Sequence, residues 1–276
     1  MAGSEREDLA RRSDGEIVAH LRAGGLALVA LSGGVDSSVV AALAREALGP
    51  SAIAVTLSGP SVAEREVARA RAVARSVGID HVVLGVDPLA RPEYRENRPD
   101  RCYFCRSVET DRLTAYGAGR AVRQYLDGVH LDDLSEERPG LTAMNEAGFT
   151  HPLVWAGWTK ADVRAAARAR GLPNSEQPSD ACLASRIAHG DPITEELLRR
   201  VEAAEALLLD RGFRRVRVRV RGNDARIEVD PEEVSRLLSE PLASELRAEV
   251  RALRFETVFL DPSGYKGYHR GPVGDP

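Results

Sequence analysis

Cysteine is scarce in this chain. Three occur in 276 residues, and two of them fall inside RCYFC, residues 101 to 105. A pair at that spacing leaves four uses open: a disulfide, half of a zinc site, a redox dithiol, or part of an iron-sulfur ligand set. Long apolar runs are missing too, none approaching the ~20 residues that cross a bilayer. The opening MAGSEREDLARRSDGE has no apolar stretch of the signal-peptide kind. The expected compartment is therefore the cytoplasm, with no membrane partner, and a reducing thiol pool there makes a structural disulfide the weakest of the four uses. Charge of one sign is not in excess either: 38 basic residues stand against 42 acidic ones. That balance argues against a protein devoted to nucleic acid. Internal repeats and low-complexity segments are absent.

What is present is a pattern that changes once along the chain. Over the first ~190 residues, short apolar runs alternate with helical segments, as in a parallel sheet with helices on both faces. LALVAL (26–31), SAIAVTLSG (51–59), HVVLGVD (81–87) and QYLDGV (124–129) read as strands. An Ala/Arg-rich helix is expected over 62–77. Thr159 and Asp162 form a capping box for a helix running to Arg170, stopped by Gly171 and Pro173. After Gly190 the spacing predicts a helix over 195–211, two alternating strands joined by a Gly-Asn turn, helix over 231–251, and a last strand in FETVFL. The expected fold class is α/β, a doubly wound parallel sheet over 1–190 followed by a smaller α+β domain over 191–276.

Between the first strand and its helix stands SGGVDSS, Ser32 to Ser38. Its glycines, hydroxyls and helix-start N–H groups make an anion site. It is not a Walker A loop, because no lysine follows the glycines. The segment resembles the PP-loop of the ATP pyrophosphatase superfamily, whose motif is S-G-G-x-D-S. The resemblance implies ATP cleaved between its α and β phosphates, with Ser32, Gly33, Gly34, Ser37 and Ser38 cradling phosphate. It also implies Asp36 placing Mg²⁺ and the adenine lying near Thr56 and Leu57.

The third cysteine, Cys182, lies in PSDACLASRIAHGDPIT. Together with NRPDRCYFCRS, DGVHLDDLSEERPGL and the RVEAAEALLLDRGF, VRVR and ARIEV segments, this region resembles the LarE family over about residues 15 to 265. Members of that family insert sulfur into the nickel-pincer nucleotide cofactor. Two residues depart from the pattern: His130 stands where Asn is expected, and Arg106 where Lys is usual. The resemblance implies that Cys102, Cys105 and Cys182 hold a 4Fe-4S cluster. One iron then has no protein ligand and can carry an extra sulfide. In other members the residue matching Cys182 gives up its own sulfur and becomes dehydroalanine. A structural zinc with Cys₃His ligation, drawing on His81, His130, His151 or His189, and two unligated thiols beside a sacrificial Cys182 remain open at this point.

RRVRVRVR (214–221) puts valines on one strand face and arginines on the other. Arg215 and Arg221 read as solvated or paired with acidic neighbours. Arg217 and Arg219 match the family's VRVR and are expected to grip a substrate phosphate, with Ser185 and Arg186 completing that site. The implied reaction adenylates a carboxylate of a pyridinium dicarboxylate mononucleotide, which a sulfur nucleophile then attacks. Asp36 and Cys182 are the expected catalytic residues, a small-molecule mononucleotide and a sulfur donor the expected partners, and a homo-oligomer the expected assembly. The rival enzyme class is a PP-loop tRNA thiolase. It is disfavoured by the absence of zinc-ribbon cysteines and of an extended basic surface.

Overall fold

The computed structural model describes residues 11–135, 138–178 and 180–266. The chain forms two compact units. The first comprises residues up to Pro88 together with Cys102–Asp180; the second comprises Leu89–Arg101 and the residues from Ala181 onward.

Helix α1 (Asp14–Ala23) opens on a capping box, with Ser13 Oγ accepting from the Glu16 N–H while the Glu16 side chain returns to the Ser13 N–H. There follow β1 (Ala27–Ala30), α2 (Val35–Leu48), β2 (Ala52–Ser58), α3 (Glu64–Val77) and β3 (Asp80–Gly85). The chain then makes an excursion into the second unit through α4 (Pro92–Arg95). It returns as α5 (Arg101–Ala118), β4 (Gln124–Leu126), α6 (Pro139–Glu146), β5 (Phe149–Thr150), α7 (Pro152–Trp155) and α8 (Lys160–Ala169). The five strands are parallel in the order β3-β2-β1-β4-β5. The order reverses beside β1, and open sheets of this type bind ligands at such a switch, beyond the carboxyl ends of the strands.

Both sheet faces are dry because β1 is apolar in both directions. Ala27 and Val29 join a core with α1, α2 and α8, including Leu21, Val39, Leu43 and Val163. Leu28 points the other way, onto Val55, Leu84, Leu113, Met144 and Phe149. Burying a side chain of that size stabilises the fold by about 1.5–3 kcal/mol, so β1 anchors both layers.

In the second unit α9 (Glu195–Leu209) precedes β6 (Val216–Arg221) and β7 (Asp224–Val229), an antiparallel pair turned at Gly222-Asn223, with Gly222 at φ +57°. Then come α10 (Val234–Leu237), α11 (Leu242–Ala252) and β8 (Val258–Leu260), which adds parallel to β7. The helix expected over 231–251 is thus broken. Pro241 is the N-cap of α11, because proline has no N–H to give a continuing helix and its ring clashes with the preceding turn. The Leu89–Arg101 excursion is bound into this unit by Asn97 Nδ2 donating to the Ala188 carbonyl (2.7 Å), Gly190 N–H to the Asn97 carbonyl (3.2 Å) and Ile193 N–H to the Arg95 carbonyl (2.8 Å). No described helix is long and apolar enough to cross a membrane.

Candidate functional site

The chain must turn from β1 into α2 between Leu31 and Gly34. Gly33 does so at φ +83°, where a Cβ would lie 2.8 Å from the Glu66 carbonyl oxygen and 3.0 Å from the Ala70 nitrogen of α3. Only glycine lets the loop lie that close to a neighbouring helix. Its shape is fixed from within. Ser32 Oγ and Ser37 Oγ are 3.1 Å apart, the Gly34 N–H donates to Ser32 Oγ (3.2 Å), and Ser38 Oγ donates to the Gly34 carbonyl (2.8 Å). Buried Asn174 braces it from outside, donating to the Gly33 carbonyl (2.8 Å) and to Ser38 Oγ (2.9 Å). From the end of β4, Gly128 approaches so closely that a Cβ would sit 2.5 Å from the Ser37 nitrogen. Helix α2 begins without a side-chain cap, so its first-turn N–H groups, which have no intrahelical acceptors, face the loop. This cradle fits a polyphosphate.

Asp36 stands in the first turn of α2, about one quarter exposed, and its two carboxylate oxygens each accept from Lys160 Nζ at 2.6 Å. Lys160 is the first residue of α8, where the helix dipole disfavours a cation by about 0.3–1 kcal/mol. The helix starts there nonetheless because Thr159 and Asp162 form the capping box, and the Lys160 N–H donates to Asp132 Oδ2 (2.8 Å). His130 is buried nearby, with Nε2 3.5 Å from Asp133 Oδ2 and 3.9 Å from Asp36 Oδ1. Its Nδ1 is buried without a hydrogen-bond partner. Carboxylate oxygens at a phosphate cradle are the donor set that suits Mg²⁺.

Thr56 is buried in β2. Its hydroxyl donates to the Leu31 carbonyl (2.6 Å) and pairs with His81 Nε2 (2.8 Å). Burial, reinforced by the Arg71 and Arg75 charges, pushes the His81 pKa below the usual histidine value. The neutral ring, donating from Nε2, therefore completes a chain that links β3 and β2 to the residue entering the loop. Beyond β4 and β5, His151 Nδ1 lies 2.8 Å from Asp127 Oδ1, and Asp127 accepts from the Val129 N–H (3.0 Å), which holds the Gly128 turn in place.

Cys102 and Cys105 lie in the first turn of α5, at the i,i+3 spacing that puts two side chains on one helix face. Cys102 is exposed. Cys105 is half-buried, with Sγ donating to Glu109 Oε1 (3.5 Å). Arg106 pairs with the same Glu109 (2.5 Å). Gly140 allows α6 to rest on this turn, since a Cβ there would be 3.5 Å from the Cys102 carbonyl and 3.1 Å from Arg106 Cγ. None of the three cysteines forms a disulfide. Among the described residues, no three His, Cys, Asp or Glu side chains are grouped to hold a metal ion.

Cys182 belongs to the second unit, where it caps the short 3-10 turn Leu183–Arg186. Arg186 is fully buried against Glu205, Nε to Oε1 2.8 Å and Nη2 to Oε2 3.2 Å, and it also donates to the Cys182 carbonyl (3.0 Å) and Ser185 Oγ (3.1 Å). Glu205 in turn accepts from the Val218 N–H of β6 (3.2 Å). One buried ion pair thus fixes the cysteine turn, α9 and the arginine strand together. On that strand Val216, Val218 and Val220 are buried as the alternation requires. Arg219 meets Glu228 (3.2 Å) and the Ser185 carbonyl (3.2 Å), and Arg215 meets Asp230 (3.2 Å). Arg217 is almost fully buried and donates to the Val216 carbonyl (2.8 Å). The Tyr265 ring lies 5.3–6.0 Å from the guanidiniums of Arg215, Arg217 and Arg219. Burial pushes the Glu228 carboxyl above its usual pKa, and the Arg219 charge opposes that rise.

Within the first unit, the residues read from the sequence gather at the loop: Ser32, Gly33, Gly34, Asp36, Ser37 and Ser38. Within the second, Ser185, Arg186 and Arg219 meet near Cys182. Sequence reasoning missed Lys160, Asn174, Glu205 and Tyr265, and it named His81 only as a candidate zinc ligand, not as the partner of Thr56. Only Lys160 left a trace, as a cation placed inside a helix-start signal.

A glycine loop between β1 and an uncapped helix, at the switch of a five-stranded parallel sheet, defines a PP-loop nucleotide domain of the ATP pyrophosphatase class. Residues 15–99 match the family described as asparagine synthase. An uncharacterised protein of Synechocystis sp. is 39% identical over 87% of this chain and 90% of its own. The pyridinium-3,5-bisthiocarboxylic acid mononucleotide synthase of Lactiplantibacillus plantarum is 31% identical over 86% of each chain. The chain belongs to the family of that synthase, the LarE family, and is a sulfurtransferase. A tRNA-specific 2-thiouridylase, MnmA of Zymomonas mobilis, is 39% identical over only 34% of this chain and 24% of its own.

Proposed function

We infer that this protein uses ATP to convert the carboxylates of pyridinium-3,5-biscarboxylic acid mononucleotide to thiocarboxylates. The observation that carries this reading is similarity to the synthase over 86% of each chain, combined with a PP-loop whose only carboxylate, Asp36, lies at the helix start beside the cradle. The substrate carboxylate attacks the α phosphorus of ATP, pyrophosphate leaves, and the acyl-adenylate is formed. A sulfur nucleophile then adds to the acyl carbon and AMP departs. Ser32, Gly33, Gly34, Ser37 and Ser38 hold the phosphates, and Asp36 would hold Mg²⁺, which would supply charge neutralisation for the pyrophosphate. Arg217 and Arg219, with Ser185 and Arg186, orient the mononucleotide phosphate. Arg186 acts from behind, as the buried brace of the Cys182 turn. The first unit serves the nucleotide and the second serves the mononucleotide, with assembly as a homo-oligomer in the cytoplasm.

For the sulfur, the reading is a 4Fe-4S cluster that Cys102, Cys105 and Cys182 would hold and that would supply the sulfide. Its support is chemical: two thiols on one helix face and a third beside the substrate arginines. Anaerobic purification with iron and sulfide quantitation, followed by mass spectrometry after turnover, tests it. Alanine at any of the three cysteines should remove the iron and lower activity by a similar large factor, and Cys182 should keep its mass. A protein fully active without iron, tolerant of Cys102→Ala and Cys105→Ala and lighter by one H₂S at Cys182, would instead make Cys182 a sacrificial donor.

A further inference from the structure

Lysine is almost unused in this protein. Of 38 basic residues only two are lysines, Lys160 and Lys266. A chain that writes its cations as arginine has kept a lysine where both Nζ contacts fall on Asp36, 2.6 Å to each oxygen. It has done so at the first position of a 10-residue helix, the end at which a positive charge is disfavoured. An arginine fork would lock a carboxylate through two parallel bonds; an ammonium on a flexible stem is a point charge that can change partners. A local rule broken without local gain points to function.

We propose that Lys160 is a displaceable counter-ion: it neutralises Asp36 in the nucleotide-free enzyme and passes to the ATP phosphates when the metal takes its place on Asp36. Metal and nucleotide then bind as a coupled pair. Metal alone must displace an ammonium that has nowhere to go, whereas ATP offers that ammonium a new anion beside the loop. Neither ligand need be wasted on the half-filled site, since coupling of this kind is reciprocal. The inference rests on reading the loop as an ATP site.

The test uses the full-length protein, Mn²⁺ as the metal probe and an ATP analogue carrying a methylene between its α and β phosphorus atoms. Lys160→Met should bind Mn²⁺ alone about fivefold or more tighter than wild type by paramagnetic resonance titration, since the competing charge is gone. The same variant should bind the Mg²⁺–analogue complex about tenfold or more weaker by calorimetry. These opposite signs are what a merely structural lysine would not give; loss of both affinities, or no change in either, overturns the proposal. Should Lys160→Met not fold, Lys160→Arg keeps a cation at the helix start. It is then expected to bind Mn²⁺ alone no better than wild type and to lose most of the enhancement that the analogue gives to metal binding. Full enhancement in Lys160→Arg overturns the proposal equally. Failure of wild type to bind the analogue would instead remove the ATP-site reading itself.

Discussion

Asp36 is held in place by a charge rather than by packing, and this makes it a sensitive point for substitution. Asp36→Asn preserves the side chain's shape but removes its charge and one of the two oxygens that accept from Lys160, so the fold should survive while pyrophosphate release falls by about a hundredfold or more. Pyrophosphate assay with an unchanged circular dichroism spectrum checks both halves, and turnover near the wild-type rate would remove Asp36 from the nucleotide site. The motif residues were readable in the sequence because their spacing is local. Lys160, 124 residues away, was not, and Asn174 and Glu205 were no more visible, since a hydrogen bond closed by the fold leaves no periodic signal in the chain.

At the scale of elements, most of the architecture was legible. The strand runs at 26–31, 51–59 and 124–129 contain the observed strands, and 81–87 overlaps β3, which begins one residue earlier at Asp80, because a parallel strand buried on both faces must be apolar throughout. The two-residue β5 was too short to carry a pattern, and α5 hid because its N-terminal end mixes Arg101 and Arg106 with Tyr103, Phe104 and the cysteines instead of opening a clear apolar stripe. The turn from β1 to α2 is the least forgiving connection. Gly33→Ala would add a side chain at φ +83° facing backbone atoms of α3, which cannot move aside as a flexible side chain would. A loss of about 2–4 kcal/mol is expected in urea unfolding. A loss below about 0.5 kcal/mol would show that the loop relaxes away from α3 at little cost.

For the molecule as a whole, His81 ties stability to pH. Its pKa is lowered in the folded chain, so between that value and the unfolded value near 6.5 the unfolded chain binds the extra proton. The contribution is complete above about pH 6.5 and is lost as the pH falls toward the folded-state pKa. Chemical denaturation at pH 7.5 and 5.5 should show wild type losing more stability on acidification than His81→Gln. Equal losses would mean that the ring is free to protonate in place. The change of pattern after Gly190 suggested a chain that leaves one unit once. In fact it leaves at Pro88, comes back at Cys102 and leaves again after Asp180, because the Asn97 and Arg95 contacts to Ala188, Gly190 and Ile193 capture a segment whose own sequence gives no sign of belonging there. Three covalent crossings make the two units inseparable by any single cut. A cut after Asp180 would leave the 89–101 segment on one fragment and its partners Ala188, Gly190 and Ile193 on the other, so neither piece would carry both halves of that contact.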